Sequence, residues 1–412
     1  MSHGNIKDKY IAEVSGKISR REFIATTGAA ATGLMVGACG KDDNPVAPKD
    51  ETPAVPQSKK VAVESLDNYN FNQLYYTIGK MFDDIGGIDD VIKKDSKVVI
   101  KLNFTGGEWA ARKVQSDFGV AVEDSMWTHP RVIQAVGKLL LDAGVKEMIF
   151  VDGQADLTGN PDFLYGPVFS SLGAEYINLN DPAPYDKFVS QSVGSDFYIY
   201  KAFQFNQVLT EADAFITLPK LKCHVSAGVT MSMKNHIGLV PAGLYALNGS
   251  GSRQALHGPG TDFSTRLPRV IVDLNRARPI HLSVVDGIKT AEAGEGNWVN
   301  GFNPIVANVL IVGKNPLTTD VVSTAVMGFD PNAAGFHTPF DNSDNHLTLA
   351  AEKGFGTTNL SEIEVVGKSI DEVKVPFKPA MKTINANGQL MDPDFNPAPY
   401  GGLLPKQPTD FV

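Results

Sequence analysis

The chain has 412 residues, of which 37 are basic, 46 acidic and 42% hydrophobic, for a formal net charge of −9. The first 39 residues hold five basic and three acidic groups, so the remainder carries 32 against 43, a net charge of −11. A phosphate backbone needs a basic footprint that this balance denies, which excludes nucleic acid as a partner, while the length allows one large α/β domain or two joined lobes with a sizeable core.

Ser19-Arg20-Arg21-Glu22-Phe23-Ile24 precedes an uncharged small-residue segment, Ala25 to Ala38, that ends in Val36-Gly37-Ala38-Cys39. This resembles a twin-arginine export signal joined to a lipoprotein cleavage box, and the apolar stretch falls short of the ~20 residues a spanning helix needs. Its glycines and threonines also make a poor buried helix. The reading predicts a signal peptide over 1–39, lipidation at Cys39, and attachment to the cell envelope, at its periplasmic face or the cell surface, through that anchor only. Residues 40–58, with Pro45, Pro48, Pro53 and Pro56, read as a flexible tether. Cys223 is the other cysteine of the chain; alone it supplies too few ligands for an iron–sulfur cluster.

From Lys59 to Val375 strand-like and helical runs alternate. Strands are predicted at Lys60 to Ser65, Lys97 to Phe104, Met148 to Asp152, Glu175 to Leu179, Phe197 to Phe203, Ala214 to Leu218, Ile280 to Val285, Val309 to Val312 and Ile363 to Val366. Helices are predicted at Phe71 to Phe82, His129 to Ala143, Phe163 to Leu172, Thr230 to Leu239, Leu317 to Met327 and Leu347 to Lys353. This order predicts an α/β fold with a mostly parallel sheet and helices on both faces. Val132, Ile133, Val136, Leu139, Leu140 and Ala143 give the second helix its apolar face, with Pro130 in its first turn and Gly144 after its end. Pro241 to Pro268, rich in glycine, reads as a long functional or mobile loop. Residues 376–412 read as an irregular, proline-rich tail packed on the surface.

The densest chemistry lies in Leu218-Pro219-Lys220-Leu221-Lys222-Cys223-His224 and Gly228 to His236. Pro219 ends a predicted strand, so these side chains are expected in the loop at the carboxyl edge of the sheet, where open α/β sheets bind ligands. Lys101 and Asn103 end one parallel strand and Asp152 another, on the same edge. A shared anion-binding site is therefore predicted from Lys101, Asn103, Asp152, Lys220, Lys222 and Asn235, with His257 able to swing in from the long loop. His129, at a helix start, suits either a ligand role or a cap. Lys234 and His236 fall on different faces of their helix; Lys234 is expected in the pocket as base or nucleophile and His236 against the core. Asp286 opens an acidic, glycine-rich stretch to Gly296, which reads as a solvated loop or a place for a hard cation shared with His224. Asp320 reads as a first-turn acid on its own helix.

Lys101-Leu102-Asn103, Thr128-His129-Pro130, Leu218 to Lys222 with His224, Gly228-Val229-Thr230 with Lys234-Asn235, Val285-Asp286-Gly287 and Gly313 to Asp320 together resemble the domain of unknown function 362 family. The iron–sulfur annotation of some relatives rests on a cysteine-rich module that this chain lacks. His224, Ala227-Gly228, Lys234 and Pro241-Ala242-Gly243 are more remotely similar to the nickel-pincer lactate racemases. That resemblance implies a cofactor-holding role for Lys234 and a proton-handling role for His224. Thr230-Met231-Ser232-Met233 and Asp152-Gly153-Gln154 depart from the racemase pattern, so it implies shared fold rather than shared cofactor. Two functions follow as expectations: a metal- or cofactor-dependent enzyme acting on a small carboxylate or phosphate, with Lys234 and His224 catalytic, or a lipoprotein that binds such an anion without transforming it.

Overall fold

The structure is a computed structural model that describes residues 54–155, 162–246, 253–258, 262–384 and 391. The segment expected to be an export signal, Cys39 and most of the expected tether lie outside these residues, as does most of the tail beyond 384. Twelve strands are described: β1 (Lys60–Ser65), β2 (Lys97–Lys101), β3 (Glu147–Asp152), β4 (Glu175–Asn178), β5 (Val189–Ser192), β6 (Ala202–Phe205), β7 (Ala214–Thr217), β8 (Lys220–His224), β9 (Gly228–Val229), β10 (Leu282–Glu292), β11 (Asn303–Gly313) and β12 (Glu364–Gly367). The main sheet runs β12-β1-β11-β10-β7-β2-β3-β4, with β8 on β10 and β9 on β8, while β5 and β6 form a separate antiparallel pair. β11 is antiparallel to β1 and β10, and every other neighbour along the main path is parallel.

The central strands are buried on both faces and read as near-continuous apolar runs, as parallel strands covered by helices must. Alternate residues serve two cores. Ala62, Val98, Ile100, Ile216 and Val284 face one, and Val61, Val63, Val99, Phe215 and Val285 the other. The first core is covered by α1 (Phe71–Asp84), α2 (Gly107–Phe118), α3 (Pro130–Asp142) and α4 (Asp162–Ser171). On the other side of the sheet, after the short α5 (Val208–Glu211), α6 (Met231–Lys234) and α7 (Gln254–His257), lie α8 (Phe263–Ala277), α9 (Pro316–Val326), α10 (His346–Glu352) and α11 (Ile370–Val373). Each α3 boundary has a local cause: His129 Nδ1 accepts the Arg131 N–H, Pro130 takes the first turn, and Gly144 follows at φ 86°.

Several expectations are corrected. Lys220 and Lys222 do not lie in a loop: after Pro219 the chain turns directly into β8, which pairs with β10. β10 runs on through Asp286 to Glu292, and Asp286, Glu292 and Glu295 are buried, so this stretch is no solvated loop. The segment expected to be a loop before Pro268 contains α7 and the start of α8, in which Pro268 sits inside the helix. The helix expected from Thr230 is one α turn, α6, followed by a 3-10 turn over Asn235–Leu239. The strand expected from Phe197 begins only at Ala202. The first tail residues enter the core through Phe377, Ala380 and Ile384, and the Lys378 carbonyl accepts from Ala293 N–H and Cys223 Sγ. Burial pushes the Cys223 thiol up to about 12, which keeps it protonated.

β8 is held to β10 by a fully buried ion pair, Lys220 Nζ to Asp286 Oδ2 at 2.8 Å. The ammonium also donates to Tyr69 Oη and the Lys289 carbonyl, and Asp286 takes the Tyr69 hydroxyl and the His129 N–H. Removing one partner of such a pair leaves an uncompensated buried charge, so Asp286→Ala is expected to destabilise the protein by about 3–5 kcal/mol. Urea unfolding at pH 7 measures this, and a loss below about 1 kcal/mol would contradict the assignment.

Candidate functional site

At the carboxyl ends of β2 and β3 the chain leaves a crevice of about 120 Å³, closed on its other side by β8, α6 and the 3-10 turn that follows. Its floor is an ion pair. Lys101 Nζ lies 2.7 Å from Asp152 Oδ1 and also donates to the Leu102 carbonyl and to Asn235 Oδ1. Asp152 Oδ2 accepts the Phe104 N–H at 2.7 Å. Asn103 Nδ2 donates to Thr105 Oγ1 and Asn235 Oδ1, and Asn235 Nδ2 donates to Thr217 Oγ1. The 3-10 turn approaches this floor at Gly238, where a Cβ would stand 2.8 Å from both Asp152 Oδ1 and Lys101 Nζ. Arg253 closes one wall, its Nε bonded to the Val240 carbonyl and its Nη2 to Gly153 O and Asn180 Oδ1.

Against these satisfied groups Lys234 differs. It lines the crevice, is only partly buried, and makes no hydrogen bond or ion pair among the described residues. Burial, opposed by Glu295 and reinforced by Lys101 and Arg253, lowers its ammonium to about 8. Its position is set from behind: Asp320, on α9, accepts the Ser232 and Met233 N–H groups at 2.8 Å each, at the start of α6. Asp320 therefore caps α6 rather than its own helix, and burial raises its carboxyl to about 7 against those two bonds. Two residues on, His236 turns to the core and bonds the Arg278 carbonyl at 2.7 Å.

His224 also lines the crevice. Its Nδ1 accepts the Ser226 N–H at 3.1 Å, which assigns the proton of the neutral ring to Nε2. Burial first, then the charges of Lys234, His257 and Lys222, hold it well below the usual histidine range. Glu295 Oε2 stands 3.8 Å from His224 Nδ1 but is engaged by the Val225 N–H at 2.9 Å. Thr230 Oγ1, also on the crevice wall, is buried without a hydrogen-bond partner.

The structure thus brings Lys101, Asn103, Asp152, His224, Lys234 and Asn235 to one crevice and leaves other expected members outside it. Lys222 is fully buried and spends its ammonium on Thr105 Oγ1, the Met126 carbonyl and the Glu295 carbonyl, at 2.8, 2.9 and 3.2 Å. Lys220 and Asp286 neutralise each other, with His129 stacked on Tyr69 at 3.5 Å beside them. His129 caps α3 and is held neutral by burial and by Lys220. Asp286 is paired with Lys220 while His224 lines the crevice, and among the described residues no three His, Cys, Asp or Glu side chains come together to hold a metal ion. His257 bonds the Arg253 carbonyl instead of lining the crevice, although it lies close enough to His224 that protonation of one opposes protonation of the other.

Arg253 and His346 were not legible as site residues. Arg253 carries no periodic signal in its glycine-rich surroundings. His346 starts α10, is fully buried with no hydrogen-bond partner for either ring nitrogen among the described residues, and lies close enough to His224 that protonation of one opposes protonation of the other.

An open, mostly parallel α/β sheet with a lysine- and histidine-lined crevice at its carboxyl edge defines the class of this protein. The chain belongs to the domain of unknown function 362 family, whose model matches residues 98–325 and so contains every residue of the crevice named above. A thylakoid-associated protein of Synechocystis is 24% identical over 329 residues, covering 77% of this chain and 90% of that one. A solved structure from Thermotoga maritima is similar at 14% identity and a TM-score of 0.29, covering 57% of this chain and 54% of that one, too slight a likeness to carry an argument.

The buried histidines make stability depend on acid. Burial lowers His236 and His346 to about 3, and burial with Lys234 lowers His257 to about 4, from 6.5. Between about 6.5 and 4 the unfolded chain binds more protons than the folded one, so stability falls as pH falls, by about 1.4 kcal/mol per pH unit for each such histidine. Denaturant unfolding from pH 7 to 4.5 should show this slope, and His346→Phe should reduce it by one histidine's share; an unchanged slope would contradict the buried neutral assignment.

Proposed function

We propose that this protein is an exported, lipid-anchored member of its family that binds a small carboxylate or phosphate in the crevice and moves a proton on it. The observation that carries this reading is the Lys234 ammonium, which has no hydrogen-bond or ion-pair partner among the described residues, in a crevice whose other cations are spent on internal partners. An anion entering there would meet Lys234 Nζ, the Nε2–H of His224 and the unsatisfied Thr230 hydroxyl, all free to respond to it. Charge-assisted bonds from such donors are the strong ones. With its ammonium lowered to about 8, Lys234 can give a proton and take it back near neutral pH, while neutral His224 donates to the substrate oxygen and stabilises developing negative charge. The envelope attachment through Cys39 is supported by the sequence pattern, and the Synechocystis relative is named as thylakoid-associated.

Calorimetric titration of the mature protein with acetate and with inorganic phosphate tests the site. At least one of the two should bind, and Lys234→Ala should weaken it at least tenfold without changing the circular dichroism spectrum. Affinity should hold below pH 8 and fall as the pH rises through 8, because only the ammonium attracts the anion. Binding that is indifferent to both the substitution and the pH would sink the reading. For the anchor, Cys39→Ala should abolish lipid labelling and release the protein from the membrane fraction; continued labelling would place the anchor elsewhere.

A further inference from the structure

The crevice holds about 120 Å³, against about 300–1,000 Å³ for pockets that enclose a drug-sized ligand. A ligand larger than its anionic head must therefore leave its body outside the mouth. Gly106 borders that mouth, and the six-membered ring of Trp298 lies against it: a Cβ at Gly106 would come within 2.5 Å of the indole. Trp109, two residues into α2 from Gly107, stands beside it with ring centroids 5.8 Å apart at 44°.

These two indoles are 50% and 42% exposed, Trp109 the more so, whereas the third tryptophan of the chain, Trp127, is buried. Trp298 is nevertheless fixed. Its Nε1–H donates to Glu295 Oε1 at 3.0 Å, its ring covers Gly296, and the other oxygen of Glu295 holds the Val225 N–H next to His224. The orientation of the ring is thus set by the carboxylate that also borders the crevice. Adjacent large aromatic faces kept in water cost hydration free energy and gain it back when a flat apolar group covers them.

Resting on the anion site proposed above, we infer that Trp109 and Trp298 form a shelf for the flat, apolar body of a ligand whose carboxylate or phosphate enters the crevice. The substrate class is then an aryl-substituted acid or phosphate ester rather than a bare anion. The shelf selects the ligand, and the crevice groups act on it.

Calorimetric titration of the mature protein with two matched pairs, acetate with phenylacetate and phosphate with phenyl phosphate, tests this. In at least one pair the aryl member should bind about tenfold more tightly. Trp109→Ala, a change at an exposed position, should cut that preference to threefold or less while the bare anion keeps its affinity within twofold. Trp298→Ala should do the same, and Trp298→Phe, which retains a ring but not the bond to Glu295, should keep part of the preference. An aryl preference that is absent, or that survives both alanine substitutions while the bare anion still binds, overturns the shelf alone. Failure of all four compounds to bind the unsubstituted protein overturns the anion site and the shelf with it.

Discussion

The crevice depends on the buried pair of Lys101 and Asp152. These residues end adjacent parallel strands, and their 2.7 Å contact ties the carboxyl ends of β2 and β3 at the level where the chain must leave the sheet. A buried pair of this kind persists only when its remaining hydrogen-bonding capacity is met. Here Leu102 O and Asn235 Oδ1 complete the lysine, and the Phe104 N–H completes the aspartate. Those completing groups are themselves the walls: Phe104 leads toward α2, and Asn235 opens the 3-10 turn after α6. Satisfying one ion pair therefore folds three distant segments around a single hollow.

Internal partners separate structural from reactive cations. Lys101, Lys220 and Lys222 each have carboxylate or carbonyl partners at hydrogen-bonding distance, so their charge is consumed in joining strands and loops. Arg253 is likewise occupied by backbone carbonyls. Lys234 has no such partner among the described residues, and burial lowers its proton affinity to about 8. Asp320 supports this by fixing the two N–H groups that start α6, so the lysine is presented by a rigid turn and not by a loop.

Elements with strong local patterning were legible in the sequence. β1 and β7 stand where their apolar runs place them, and α3 follows its three- and four-residue apolar steps between Pro130 and Gly144. β8 was not, because Lys220 and Lys222 alternate with Leu221 and Cys223 in what reads as a half-exposed pattern, yet both faces are buried. Only the tertiary partners, Asp286 for one lysine and carbonyls for the other, make that burial tolerable, and no local signal announces them. α2 escaped notice because it begins beside two glycines and buries only a thin stripe of Ala110, Ala111 and Val114; α8 did because Pro268 lies inside it. Within the site, the lysines and histidines were visible as residue types near the carboxyl edge. Which of them would be consumed internally is a matter of distances that the order of residues does not contain.

The central claim is that Lys234 is the cation left available for an anion in the crevice, and anomalous diffraction from crystals soaked in bromide tests it most directly. The account predicts a bromide peak in contact with Lys234 Nζ and near His224 Nε2 and Thr230 Oγ1 that disappears in crystals grown well above pH 8. Bromide confined to the outer surface, with the crevice empty at neutral pH, would contradict it.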